Sequence, residues 1–242
     1  MDPLSIAAAS GLRSRIQSLD LLANNLANTG TAGFKRDAEY YGLYRSPEAT
    51  GDETLPMVQR QWTDFSQGML QVTANPTDLA LSGSGFLVAQ GPNGPLYTRN
   101  GNLQTLANGT LATGDGYPLL NTLGKVVKIA PNQPFTIGLD GTVTQDNQSL
   151  GQLQVVQFPN LQALNKIGDA NFQNTDPKKN VPVAAKNVEV QQGKLENSNV
   201  PVAEAAMHLV GVMRQFEMLQ KAVGISSEMD TKTIQEVARV GS

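Results

Sequence analysis

The sequence predicts an α+β protein, with amphipathic helices at both ends that pack as a helical bundle or coiled coil, an all-β central domain, and extended connecting arms. Three observations carry that expectation. Of 13 prolines, 23 glycines and 13 aromatic residues, the stretch 34–200 holds 11, 17 and 12. Helix interiors exclude proline and penalise glycine, whereas turns between strands need both. Apolar residues near each end recur at alternating intervals of three and four, the stripe of a packed helix. Between the ends, turn dipeptides separate short β-prone runs.

In chain order, 1–35 is the first helical segment. Leu12, Ile16, Leu19, Ala23 and Leu26 form its stripe, and Asn28, Gly30 and Gly33 supply stop signals. The segment 36–75, polar and irregular, reads as a connecting arm. The central domain, 76–183, begins with a hairpin pattern in which Gly85–Gln90 leads through Pro92-Asn93-Gly94-Pro95 to Leu96–Arg99. Asn100-Gly101, Asn108-Gly109, Asp115-Gly116 and Asp140-Gly141 mark further turns between the runs at 126–129, 135–137, 142–144 and 153–158. No helical segments alternate with these runs, which argues against a doubly wound sheet. A second arm, 184–200, leads to the helical segment 201–242. Pro201 suits that helix's first turn, and Val202, Ala206, Leu209, Met213, Phe216 and Val223 form its stripe, with Gln220 off pattern. Gly224 and Ser226-Ser227 predict a bend or interruption. At 1.5 Å per residue the two helices would be about 37 and 57 Å long.

The composition narrows the chemistry. The formal net charge is −3, from 18 basic and 21 acidic residues, which argues against a protein built to grip nucleic-acid phosphates. With no cysteine and one histidine, thiol nucleophiles, disulfides and sites that need two histidines are excluded. Gly83-Ser84-Gly85 precedes a strand-like run, not the helix a phosphate loop must open, so it reads as a turn. His208 lies on the terminal helix without a second ligand. Asp140 and Asp146 lack the density of a calcium loop. No catalytic, cofactor or metal residue is expected. A mere helical hairpin would leave much of each stripe exposed, so the two stripes point instead to self-assembly.

Four blocks then carry a resemblance. Ala23-Asn24-Asn25-Leu26-Ala27-Asn28, continuing to Gly33-Phe34-Lys35-Arg36, resembles the N-terminal signature of bacterial flagellar rod and hook proteins. Gln67-Gly68, through Asn75-Pro76 to Asp78-Leu79-Ala80, resembles a second block. Gly83 to Arg99 with Asn100-Gly101 resembles a third, and Gln192-Gly193-Lys194-Leu195-Glu196-Asn197-Ser198-Asn199-Val200 a fourth. Arg214-Gln215-Phe216-Glu217 follows where the family has a similar run. Pro201–Ala206 departs from the family's more acidic pattern.

The resemblance implies a structural axial component of the flagellar basal body, most like the proximal-rod class and next the distal rod. Its implied partners are other rod proteins, copies of itself and the flagellar type III export apparatus, with no nucleic acid, small-molecule substrate or cofactor. It implies a periplasm-spanning rod reached without a cleaved signal peptide, and Met1-Asp2-Pro3 indeed lacks a basic leader. The expected interface comprises the two stripes together with Asn25 and Asn28, whose amides would bond across subunits. The rival readings are a phage or secretion-system structural protein and a β-domain binding module.

Overall fold

The computed structural model describes residues 3–45, 54–130 and 133–240. Along the chain lie α1 (Pro3–Ala27), β1 (Asp37–Arg45), β2 (Thr54–Thr63), β3 (Leu70–Val72), β4 (Leu79–Ser82), β5 (Phe86–Gly91) and β6 (Gly94–Thr98). Then come β7 (Leu103–Thr105), β8 (Leu111–Thr113), β9 (Thr136–Ile137), β10 (Thr142–Gln145), β11 (Gln148–Gln152) and β12 (Val155–Gln157). The chain finishes with β13 (Leu164–Ile167), β14 (Asn171–Asn174), β15 (Val183–Ala184), β16 (Glu189–Gln192), β17 (Lys194–Glu196) and α2 (Val202–Val240). Two compact units result. One comprises Met1–Ala27, Asp37–Trp62 and Pro201–Ser242, and the other Asn28–Arg36 with Thr63–Val200.

The expected helical bundle or coiled coil does not form. Among the described residues there are two α-helices, one near each end, and the remaining regular structure is mostly strand. A bundle needs further helices, which the glycine- and proline-rich interior cannot supply. The all-β centre fits the expectation. The arms are more ordered than expected: 36–75 contains the paired strands β1 and β2, and 184–200 contains β16 and β17, which pair with β4 and β3.

In the helical unit, α1 and α2 pack as one antiparallel pair. A Leu219 methyl lies 3.6 Å from where a Cβ on Gly11 would stand. Gly11 is 16 residues from the end of α1, and Leu219 is 17 from the start of α2. Parallel helices in that register would separate those two ends by about 50 Å. The linkers 28–33 and 196–201 meet where Gly33 N donates to Glu196 O, and together they reach only about 40 Å. Beyond Leu219 α2 continues through Gly224 and Ser226-Ser227 without interruption. A helical glycine costs only about 1 kcal/mol, too little by itself to break a long helix.

The β unit centres on a six-stranded sheet in the order β13-β14-β6-β5-β12-β15, in which all neighbours are antiparallel. The hairpin read from the sequence is present, with Gly91 opposite Gly94 and Gly94 at φ +122. Successive residues of β5 point to opposite faces. Leu87 and Ala89 enter one core with Leu79, Leu111, Leu119 and Val143, while Phe86 and Val88 enter another with Tyr97, Phe158 and Phe172. Burial on both faces explains the unbroken apolar run of this strand. Phe86 stacks edge-on against Phe65, Phe158 and Phe172 at 5.7–6.0 Å between ring centroids.

Candidate functional site

Two arrangements stand out, one in each unit. In the β unit, the four sequence blocks that carried the resemblance converge on a buried ionic clasp. Glu196 ends β17, which pairs with β3 so that Glu196 faces Leu70. Its Oε1 accepts from Lys35 Nζ at 2.6 Å and from Gly68 N at 2.9 Å, and its Oε2 from Arg99 Nη1 at 3.2 Å. The Lys35 and Glu196 side chains are 0% exposed and that of Arg99 4%. Both cations also donate to backbone, Lys35 to Ser66 O, and Arg99 to Leu81 O and Gly83 O, while the buried Arg99 Nε has no hydrogen-bond partner among the described residues. Burial pushes the Lys35 ammonium below its ordinary pKa, and the attraction of Glu196 only partly opposes that fall. The same balance lowers Arg99.

Around this centre the N-terminal segment is tied down residue by residue. Gly33 adopts φ +68, where its missing Cβ lets the chain pass against the Arg99 backbone. Phe34 is buried, and Lys166 Nζ lies 4.2 Å from its ring centroid while donating to Lys35 O at 2.7 Å. Arg36 N donates to Asn199 Oδ1, and Asn199 Nδ2 to Asp64 O and Ser66 O. Asp64 pairs with Arg36 Nε at 3.0 Å and accepts from Ser66 N at 2.9 Å. Burial works against ionising Asp64, but the hydrogen bonds from Ser66 and Arg36 outweigh it and hold the carboxyl below its usual range.

A carboxylate whose pKa falls on folding stabilises the native state above its unfolded pKa, and loses that contribution as pH drops through the folded one. At neutral pH, Asp64→Asn should therefore cost about 1 kcal/mol, as expected for partly exposed charged hydrogen bonds. Thermal melts of both proteins should converge as pH falls through the carboxylate range. A gap that persists in acid would contradict this account of Asp64.

In the helical unit, both helices bury a different line of residues from the one the periodicity singled out. In α1 the buried line is Gly11, Ser14, Ser18, Leu22 and Asn25. Of the expected stripe, Ile16 is 47% exposed, Ala23 is exposed, and Leu12, Leu19 and Leu26 are half-buried. In α2, Ala205 and Val212 are buried. Ala206, Leu209, Phe216 and Val223 are half-buried, while Val202 and Met213 are exposed. The period was legible, but the phase was set by small side chains that let the helix backbones approach. Asn25 is turned inward: its Nδ2 donates to Asp37 O at 2.7 Å, and its Oδ1 accepts from Asp37 N at 2.9 Å. In the β unit, Asn28 is buried and its Oδ1 accepts from Thr31 Oγ1.

The other candidate residues have structural roles. His208 is exposed on α2, Gly83 turns at φ +108 ahead of β5, and Asp140 caps a turn by accepting from Thr142. Among the described residues no group of three His, Asp or Glu side chains is placed to hold a metal, and no helix is long and apolar enough to cross a membrane.

Comparison with known proteins agrees with the convergence of the four blocks. The family described as flagellar hook protein FlgE/F/G D1 domain matches residues 80–145, and that described as flagellar basal body rod FlgEFG protein C-terminal matches 191–236. The chain is 32% identical to the flagellar basal-body rod protein FlgG of Buchnera aphidicola subsp. Schizaphis graminum, covering 97% of this chain and all of that one. This chain belongs to the flagellar basal-body rod proteins. It is also 31% identical to the rod protein FlgF of Caulobacter vibrioides over 93% of both chains, and 30% identical to FlgG of Bacillus subtilis over 91% and 93%. As a rod protein it is a structural component of the flagellar basal body. The clasp thus joins segments from the matched D1 and C-terminal regions to the N-terminal segment.

Proposed function

We propose that this rod protein is a structural subunit with no catalytic role, assembling through the outer faces of α1 and α2 with other rod proteins and with copies of itself. Type III export and a position in the periplasm-spanning rod complete the reading. The observation that supports it is the phase of the helices: with Gly11, Ser14 and Ser18 turned inward, Ile16 and Ala23 of the stripe are exposed and Leu12, Leu19 and Leu26 only half-buried. A partly exposed apolar stripe of this kind marks an association surface. Repeated head-to-tail contacts build open helical assemblies, which can transmit torque without any chemistry. Val202, Ala206, Leu209, Met213, Phe216 and Val223 flank the pair on α2. Asn25 and Asn28 serve the interface by fixing the end of α1.

The test separates assembly from folding. Ile16→Asp, on the exposed face, should leave the circular dichroism and melting temperature of the isolated chain unchanged and abolish basal-body rods and swimming. Val212→Asp, at 2% exposure, should instead unfold the helix pair, because a buried unpaired carboxylate costs several kcal/mol. Swimming cells with normal rods carrying Ile16→Asp would refute the interface.

A further inference from the structure

We propose that the free edge of β15, with the cleft beside it, is a docking site for an extended acidic strand of a partner protein. The inference does not depend on the helix interface above. β15 ends the six-stranded sheet, with β12 as its neighbour on one side. Ala185 N donates to Val155 O at 3.0 Å, and Val156 stands opposite Ala184. Hydrogen bonding alternates along an antiparallel pair, so Ala184 turns its N–H and C=O away from β12, and Pro182 its C=O. Ala184 is exposed. A strand laid antiparallel along this edge would bond Ala184 through both groups and Pro182 through its carbonyl.

The cleft has a volume of about 280 Å³ and is walled by residues that include Thr122, Gln154, Val155, Pro182, Ala184 and Val188. That is below the roughly 300–1,000 Å³ of a pocket for a drug-sized ligand, and it suits single aliphatic side chains. Opposite residues of an antiparallel pair share a face. The side chain paired with Ala184 therefore points to the cleft, and every second one along the strand points the same way. Leu123, Leu139, Val181 and Val183, all exposed, each adjoin a lining residue in the sequence.

Charge selects the strand. Residues 177–187 contain Lys178, Lys179 and Lys186 and no acidic residue, in a chain whose net charge is −3. All three lysines are exposed, two before β15 and one after it. The turn bearing the first two is fixed, because the buried Asn180 accepts from Asn160 N at 3.0 Å and donates to Asn160 O at 2.8 Å. The nearby carboxylates are engaged: Asp176 accepts from Lys179 N at 3.2 Å, Glu189 from Gln191 Nε2 at 3.4 Å, and Asp140 from Thr142. Lysine and proline on an edge deter pairing with like strands. Here Pro182 lacks one N–H but Ala184 keeps both its groups, and the lysines repel a second basic edge while attracting carboxylates.

The experiment titrates the full chain with a labelled peptide, acetyl-Glu-Glu-Val-Thr-Val-Thr-Val-Glu-Glu, followed by fluorescence anisotropy and by amide exchange at Ala184. The peptide should bind and protect Ala184 N–H, and lysine in place of its glutamates should weaken binding at least tenfold. Lys178→Glu together with Lys179→Glu should reverse that preference at an unchanged melting temperature. With valine opposite Ala184, N-methylation of the valines removes the N–H groups that face the edge and should abolish binding. N-methylation of the threonines should leave it within about threefold. Absence of binding means a blunted edge and overturns the proposal, and equal effects of the two N-methylations overturn it in favour of charge alone. Polyglucuronate that binds as tightly without protecting Ala184 overturns it in favour of an anionic glycan. Ala184 protected in the chain alone, in step with self-association, gives the edge to a second copy and overturns the choice of a partner protein.

Discussion

Glu196→Gln should lower the stability of the β unit by about 3–5 kcal/mol, the range for removing one member of a buried ion pair. The upper part of that range is expected, because the carboxylate serves two cations and the Gly68 amide at once. Glutamine keeps the shape and one acceptor oxygen. It removes the charge that offsets the burial of Lys35 and Arg99, and its NH₂ is left facing a donor. Lys35→Met should cost less, since Glu196 then keeps Arg99 and Gly68 N, and the methionine fills the volume of the lysine stem. Urea titrations of the three proteins decide the matter through their midpoints at constant slope. If Glu196→Gln is no worse than Lys35→Met, the carboxylate is not the centre of the site.

Gly101→Ala should be still more damaging, to the point of abolishing the folded β unit. A Cβ at 101 would collide with the carbonyl oxygen of Leu79 and lie 2.5 Å from its carbon. Both belong to backbone that cannot swing away, because Leu79 N donates to Gly101 O at 2.9 Å and Leu79 is fully buried in the core. Overpacking a core typically costs about 1–3 kcal/mol when side chains can adjust, and here the obstacle is the main chain itself. Gly109→Ala is the control: its φ of +78 makes alanine strained, a cost of about 1–2 kcal/mol, and the unit should still fold. Hydrogen exchange at the core strands separates the outcomes. A Gly101→Ala chain with native protection would refute the close approach.

These two glycines also mark how far the sequence could be read. Asn100-Gly101 and Asn108-Gly109 look alike as turn dipeptides. Gly109 has the positive φ such a turn demands, while Gly101 is required because a distant strand passes over it. Local chemistry reveals the first kind of requirement and is silent on the second. The hairpin over 86–98 was legible because alternation, turn residues and a short loop all act within a few residues. The helix stripes were legible in period and not in phase, since Leu12–Leu26 and Gly11–Asn25 share one repeat. Which of them turns inward depends on a helix 200 residues away. The clasp was missed as a site, although Lys35, Arg99 and Glu196 all lie within the four blocks. Charged residues embedded between glycine and aromatic or leucine neighbours were its signal, but only the fold shows that three such residues meet.

That meeting sets a timetable for the chain. Lys35 and Glu196 are 161 residues apart, and closing a loop of that length costs about 4–5 kcal/mol in chain entropy. Nothing repays this cost until β17 arrives beside β3, and β17 is among the last parts of the β unit to leave the ribosome. A nascent chain ending before Glu196 should hold Lys35 and Arg99 without their carboxylate, which opposes burying them. The β unit therefore cannot complete itself early, and long-range closure of this kind is slow even for a finished chain. The interval leaves a pliable polypeptide, held open until its own last strands are made.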